Sequence, residues 1–236
     1  MSKLEGKKVL VVGGSSGIGE ASAQALAALG AQVTIASRDP AKLQAAAGRL
    51  GGGVSTAVLD TSNDAAVEAF FAVQGEYDHV VISAAQTASG PVKQLPLVDA
   101  YAAMNSKFWG AYRVARAVKI AAGGSLTLVS GFLATRPSKT SVLQGPINAA
   151  LESLGRGLAL ELAPVRVNTV SPGMIATPMW AGSDETRAAK FEAVAARLPV
   201  QRIGQAEDVA NAIVYLVTTP YATGSTVLVD GGGAIA

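Results

Sequence analysis

The chain has 236 residues, enough for one large α/β domain with a full core. Half of the residues are hydrophobic, and 19 basic against 17 acidic side chains leave a net charge of +2 without charge runs, so disorder, a nucleic-acid groove and a membrane-seeking patch are not expected. The absence of cysteine excludes disulfides and thiolate metal sites, and a single histidine leaves no His-rich one, so no metal is expected.

Met1 to Lys8 is polar, and Val9 to Val12 is too short for a signal peptide or a span, which predicts a soluble, cytoplasmic protein. The first strand, Lys8–Val12, runs through the turn Gly13-Gly14-Ser15-Ser16-Gly17-Ile18-Gly19 into a helix over Gly17–Leu29. There follow a strand at Gln32–Ser37, a helix at Ala41–Leu50, a strand at Val54–Leu59 and a helix at Asp64–Val73. His79–Ser83 is the next strand, and His79, beside Asp78, reads as a surface or edge residue. A helix over Val98–Ala121, a strand at Ser125–Ser130, a helix at Gly145–Leu162 and a strand at Arg166–Ser171 come after it. The polar stretch Thr177–Gly204 reads as a mobile helical lid, before a helix at Ala206–Val217 and a closing strand at Thr226–Val229. Continuous apolar strands alternating with helices predict an α/β, doubly wound parallel seven-stranded sheet with helices on both faces, as a single domain over residues 1–236.

Each glycine of the first turn has a physical reason. Gly13 permits a tight turn after the strand, Gly17 lets the backbone approach a pyrophosphate, and Gly19 lets the helix pack close to the sheet. The helix N-terminus then offers free N–H groups and the positive end of its dipole. A dinucleotide is the expected ligand. The second strand ends in Ser37-Arg38 where an acid would accept from a ribose 2′-OH and repel a 2′-phosphate. Arg38 can form a charge-assisted pair with that phosphate and Ser37 can add a hydroxyl, so NADP(H) is expected, with Asp39 next door weighing against it.

The spacing G-x-x-x-G-x-G resembles the short-chain dehydrogenase/reductase family, and the resemblance runs along nearly the whole chain. Asp60 stands where the family places an acid against the adenine. Val167-Asn168-Thr169-Val170-Ser171-Pro172-Gly173 resembles the segment after the sixth strand, and Ile175 and Thr177 match positions that contact the nicotinamide carboxamide. Arg202-Ile203-Gly204, Glu207-Asp208-Val209 and Val229-Asp230-Gly231-Gly232 resemble the family's C-terminal part. The resemblance implies a Rossmann fold, with NADP held by Gly13, Ser15, Ser16, Gly17, Ile18, Gly19, Ser37, Arg38, Asp60, Ala84, Pro172, Gly173, Ile175 and Thr177.

The family also implies a working set of Asn, Ser, Tyr and Lys. Tyr moves the proton, Lys lowers the Tyr pKa and holds the nicotinamide ribose, Ser positions the substrate oxygen, and Asn anchors a water. Counting back from Glu161 puts Gln144 at the Tyr position, Asn148 at the Lys position and Gly131 at the Ser position, with Ser130 one residue before. Lys107-Phe108-Trp109-Gly110 fits the family's Asn-x-x-Gly, which gives Lys107 the Asn position, while Asn105 falls on another helix face. Ser83-Ala84-Ala85-Gln86 replaces the family's Asn-Asn-Ala-Gly, and no Tyr is followed four residues later by Lys.

Gln144 has no titratable proton, although its amide can donate to a carbonyl oxygen, and Asn148 shares its helix face. Losing a positioned acid costs about 10²–10⁴-fold in rate. A desolvated Lys107 would fall from about 10.4 towards neutrality and could supply a proton, or it could pair with a carboxylate at a subunit contact. Ser130 reads more as a strand-end hydroxyl than as a substrate ligand. The expected function is an NADP(H)-dependent oxidoreductase acting on a carbonyl or alcohol of a small substrate. Phe132, Leu133, Met174, Met179 and Trp180 suit a partly apolar one. The alternatives are a catalytically degenerate dinucleotide-binding protein with a regulatory or assembly role and, more weakly, a lyase or isomerase. The family's habit implies a homotetramer through the helix with Phe108 and Trp109, the Gly145–Leu162 helix and the Thr226–Val229 strand.

Overall fold

The structure is a computed structural model and describes residues 3–180 and 183–236. Its strands are β1 (Lys8–Val12), β2 (Gln32–Ser37), β3 (Ser55–Val58), β4 (Tyr77–Ile82), β5 (Ile120–Val129), β6 (Arg166–Pro172), β7 (Ile175–Ala176), β8 (Gly204–Gln205) and β9 (Thr226–Val229). The helices are α1 (Gly17–Ala28), α2 (Pro40–Leu50), α3 (Asp64–Val73), α4 (Leu97–Met104), α5 (Gly110–Ala117), α6 (Gln144–Glu161), α7 (Asp184–Ala195) and α8 (Ala206–Thr218). Seven strands form one parallel sheet in the order β3-β2-β1-β4-β5-β6-β9, and β7 pairs with β8 outside it.

Side chains alternate across each strand, and each face finds its own helices. Val9 and Val11 of β1 join Val33, Ile35, Val81 and Val170 under Leu26 of α1, Leu43 of α2 and Ile213 and Leu216 of α8. Leu10 and Val12 join Val80, Ile82, Leu126 and Leu128 under Phe71 of α3, Val114 of α5 and Leu151 of α6 on the other face. The strand order reverses between β1 and β4, so a crevice opens at the carboxyl ends of these strands.

Three elements depart from the sequence reading. His79 is neither a surface nor an edge residue: β4 begins at Tyr77, in mid-sheet, and His79 is buried with Nδ1 2.9 Å from Ser125 Oγ. Burial pushes its pKa down to about 4, against the pull of Asp78. β5 begins at Ile120, five residues before the expected start, because Ile120 pairs with Tyr77 and the register then slips. The slip falls between the Tyr77–Ile120 and His79–Ser125 pairs, and within it any side chain on Gly124 would strike the Asp78 carbonyl. The helix expected over Val98–Ala121 is α4 and α5 joined by a π turn at Asn105–Trp109, and it stops at Ala117.

The expected lid, Thr177–Gly204, carries α7, none of whose residues is buried; residues 181 and 182 within it lie outside the described ones. Trp180 joins α7 to β7: its Nε1 donates to the Ile175 carbonyl at 2.7 Å, and Lys190 stands 4.3 Å above its ring. Among the described residues no helix is long and apolar enough to cross a membrane, and no cluster of His, Asp or Glu has the makings of a metal site.

Candidate active site

A cleft of about 640 Å³ opens at the reversal point. Gly13, Ser15, Ser16, Gly17, Ile18 and Gly19 line it from the first turn, with Ser37 and Arg38 after β2, Asp60 after β3, Ala84 after β4 and Thr177 after β7. Gly17 adopts φ +54°, a left-handed backbone that favours glycine, any Cβ there would crowd the Thr177 side chain, and a Cβ on Gly19 would run into the Gly13 carbonyl. Ser16 caps α1 without a side-chain hydrogen bond, which leaves the first N–H groups of the helix to a ligand. The Ser37 hydroxyl is buried and has no partner. Unpartnered donors beside a glycine turn suit a phosphate-bearing dinucleotide.

The acid that weighs against a 2′-phosphate is otherwise engaged. Asp39 Oδ1 accepts from the backbone N–H groups of Ala41 and Lys42, at 2.9 and 3.1 Å, and so caps α2. Arg38 and Lys42 bring positive charge to this end of the cleft, and Arg38 donates through Nη2 to Gln86 Oε1 on the facing wall. Asp60 is held well below the usual carboxylate range by the hydroxyl and N–H of Ser62. Three expected cofactor residues lie off the cleft wall: Pro172 ends β6, Gly173 packs against the Asp230 backbone, and Ile175 is buried in β7. Lys42, Ser62 and Ser106 line the cleft without having been singled out, since only the folded chain brings these loops together, and Met179, expected at a partly apolar substrate, lines it as well.

Lys107, Gln144, Asn148 and Ser130 lie beyond this wall, and the loop after β4 runs between. That loop is tied by Gln86 N–H to Ser106 Oγ at 2.8 Å and by the Gln144 amide to the Ala88 carbonyl at 3.0 Å. Behind it the π turn presents Lys107, whose Nζ donates to the Ser130 carbonyl and to Asn148 Oδ1, both at 2.7 Å. Burial lowers the Lys107 pKa to about 8, while Glu152 works to raise it. Asn105 faces away, bonded to the Ser62 carbonyl and Arg113.

The Ser130 hydroxyl is not turned to a substrate. It donates to Glu152 Oε1 at 2.9 Å, as does the Ser171 hydroxyl at 3.0 Å. Gly131 has no room for a side chain, because a Cβ there would stand 2.8 Å from the Asn148 amide nitrogen. Glu152 escaped sequence reasoning: nothing in an Ala-rich helix marks an acid as buried, and its burial depends on hydroxyls at the ends of two strands.

Comparison with known proteins places this fold and cleft. Residues 12–233 match the family described as enoyl-(acyl carrier protein) reductase. The chain is 32% identical to the short-chain dehydrogenase/reductase ucsE of an Acremonium species, over 99% of this chain and 97% of that one. It is 32% identical to the D-erythrulose reductase of Gallus gallus, covering 96% and 95% of the two. A solved small-chain dehydrogenase in complex with NADPH superposes with a TM-score of 0.82 at 31% identity, over 98% of this chain and all of that one. The doubly wound sheet and its cleft are those of a dinucleotide-dependent oxidoreductase class. The chain belongs to the short-chain dehydrogenase/reductase family.

Proposed function

We propose that this chain is an NADP(H)-dependent oxidoreductase acting on the carbonyl or alcohol of a small, partly apolar substrate, with an active site in which Lys107 supplies the ammonium. The observation that carries it is the pair of 2.7 Å bonds from Lys107 Nζ to Asn148 and to the Ser130 carbonyl. The family resemblance puts Asn on the π-turn side and Lys on α6; here the two residue types are exchanged across the same gap. Gly131 fits the exchange, since the Asn148 amide fills the space a Ser would need. Drift alone does not account for buried polar groups that answer one another this closely, Lys107 to Asn148 and to the Ser130 carbonyl, and Ser130 and Ser171 to Glu152.

When bound, the nicotinamide supplies or takes the hydride. Ser37 and Arg38 would hold its 2′-phosphate, the first turn and α1 its pyrophosphate, and Asp60 its adenine, with Thr177 near the carboxamide. Two N–H bonds of Lys107 are fixed, which leaves one to give a proton to a carbonyl oxygen. With a pKa of about 8 the group is charged at neutral pH and close enough to neutrality to exchange protons. The Gln144 amide adds a neutral donor once the Ala88 carbonyl moves aside. The Thr177–Gly204 segment serves as the lid. The deciding experiment is Lys107→Met. Turnover should fall by about 10²–10⁴-fold, with NADPH affinity, read by fluorescence titration, within a few-fold of the parent.

One observation favours a second reading, a degenerate dinucleotide-binding protein. Gln144 cannot titrate, and its amide already holds the loop that covers the site. Tight NADPH binding with no turnover over a broad carbonyl and alcohol panel would establish it.

The chain is also proposed to assemble as a homotetramer. Tyr101 of α4, Trp109 of the π turn and Tyr112 of α5 stay exposed, and Leu228 stays exposed on the edge strand β9. A monomer by light scattering at micromolar concentration would refute this.

A further inference from the structure

Glu152 has no part in the chemistry described so far, yet it is one of the few charged side chains buried among the described residues. It sits one helical turn after Asn148 on α6, 9% exposed. A single oxygen, Oε1, collects the hydroxyls of Ser130 and Ser171 at 2.9 and 3.0 Å. These two serines stand at the ends of the neighbouring strands β5 and β6, which pair in parallel up to Val129 and Val170. The Ser130 residue so held is the one whose carbonyl takes the Lys107 ammonium.

We propose that Glu152 is a positioning residue for Lys107: it clamps the ends of β5 and β6 through Ser130 and Ser171, and so fixes the carbonyl that receives the ammonium while its charge offsets the ammonium's own. The proposal rests on Lys107 being the ammonium of the site. Other charges do not fill this role. On α6, Gln144 and Asn148 are neutral; β5 offers the Ser130 carbonyl and β6 the Ser171 hydroxyl. The loop from Ser83 to Gly90 contains no charged residue. From α5, Arg113 turns to Asp64, Asn105 and the Thr61 carbonyl. The raising influence of Glu152 on Lys107 agrees with this geometry. A carboxylate left in this place without a cation nearby would itself be costly.

The test needs neither substrate nor turnover. In the full-length protein, the ¹³Cε signal of Lys107, identified by its loss in Lys107→Arg, is titrated against pH in the parent, in Glu152→Gln and in Glu152→Asp. The Gln variant keeps size and acceptor oxygen and loses only charge. The Lys107 midpoint should fall by about one pH unit or more in Glu152→Gln and recover in part in Glu152→Asp. A folded Glu152→Gln protein whose Lys107 midpoint equals the parent's would overturn the proposal. If the Gln variant does not fold, Glu152→Asp alone decides, since its withdrawn carboxylate should still lower the midpoint, and an unmoved one refutes the role. A role confined to packing would lower thermal stability without moving the midpoint. Because the readout is taken on the free protein, loss of the catalytic reading through Lys107→Met leaves this result standing on its own.

Discussion

The cleft and the polar cluster behind its wall are built from different materials. Around the first turn the contacts are made by backbone: glycines that admit no side chain, the N–H groups at the start of α1 and the cap that turns Asp39 away. Behind the loop after β4 they are made by side chains that answer one another: Lys107 to Asn148, Asn148 to the space at Gly131, and Ser130 and Ser171 to Glu152. Backbone contacts tolerate little variation at a given position. A side-chain network tolerates replacement, provided its members change together. On the proposed reading, the family pattern is kept in the first and replaced as a set in the second.

The sharpest way to break this comparison is to reverse the exchange. Lys107→Asn and Asn148→Lys should each lose about 10²-fold or more in kcat/KM. The double variant should recover to within about tenfold of the parent, a non-additivity typical of residues in one network. If the double variant is as poor as the sum of the two, the exchange reading is wrong. Next in size is the cofactor half. Arg38→Ala should weaken NADPH by about tenfold, the loss of one charge-assisted phosphate contact, and leave NADH within about twofold on the same contact argument. Calorimetry with both dinucleotides reads this directly, and equal losses would show Arg38 to be a general surface charge.

The remaining effect is on stability, confined to acid pH, and it comes from the sheet. His79 is buried neutral with a folded pKa near 4 against an ordinary 6.5, so the unfolded chain binds the extra proton between these values. Its contribution is complete above pH 6.5 and is lost as pH falls towards 4. His79→Gln should flatten this part of the stability-versus-pH curve, by roughly 3 kcal/mol at pH 4. An unchanged slope in a folded variant would count against the buried neutral imidazole.

What could be read in advance follows the same division. The strand–glycine–helix opening is a local pattern, and β1, β2 and the first turn of α1 fall where the residues put them. Burial of His79 was not legible, because Tyr77 and Asp78 look like the end of a loop until Tyr77 pairs with Ile120. Gly123-Gly124 hid the start of β5, since paired glycines read as a turn and here serve a register slip. Sequence count put Lys107 and Asn148 at exchanged positions, but only the fold shows their bond, the crowding at Gly131 and the acid behind them.

The π turn at Asn105–Trp109 gives this site a particular evolutionary route. A π turn is an α-helix with one residue too many, and such insertions gather at functional sites. Deleting one residue ahead of Lys107 would return the segment to α-helix and swing a different side chain towards α6, by about 100° of rotation per residue. The ammonium owes its place to the length of the chain before it as much as to the codon that specifies it. Relatives that differ here by a single insertion or deletion should not be aligned column by column. A lysine one place away in such a relative can occupy the same point in space, and a lysine in the same column can point elsewhere.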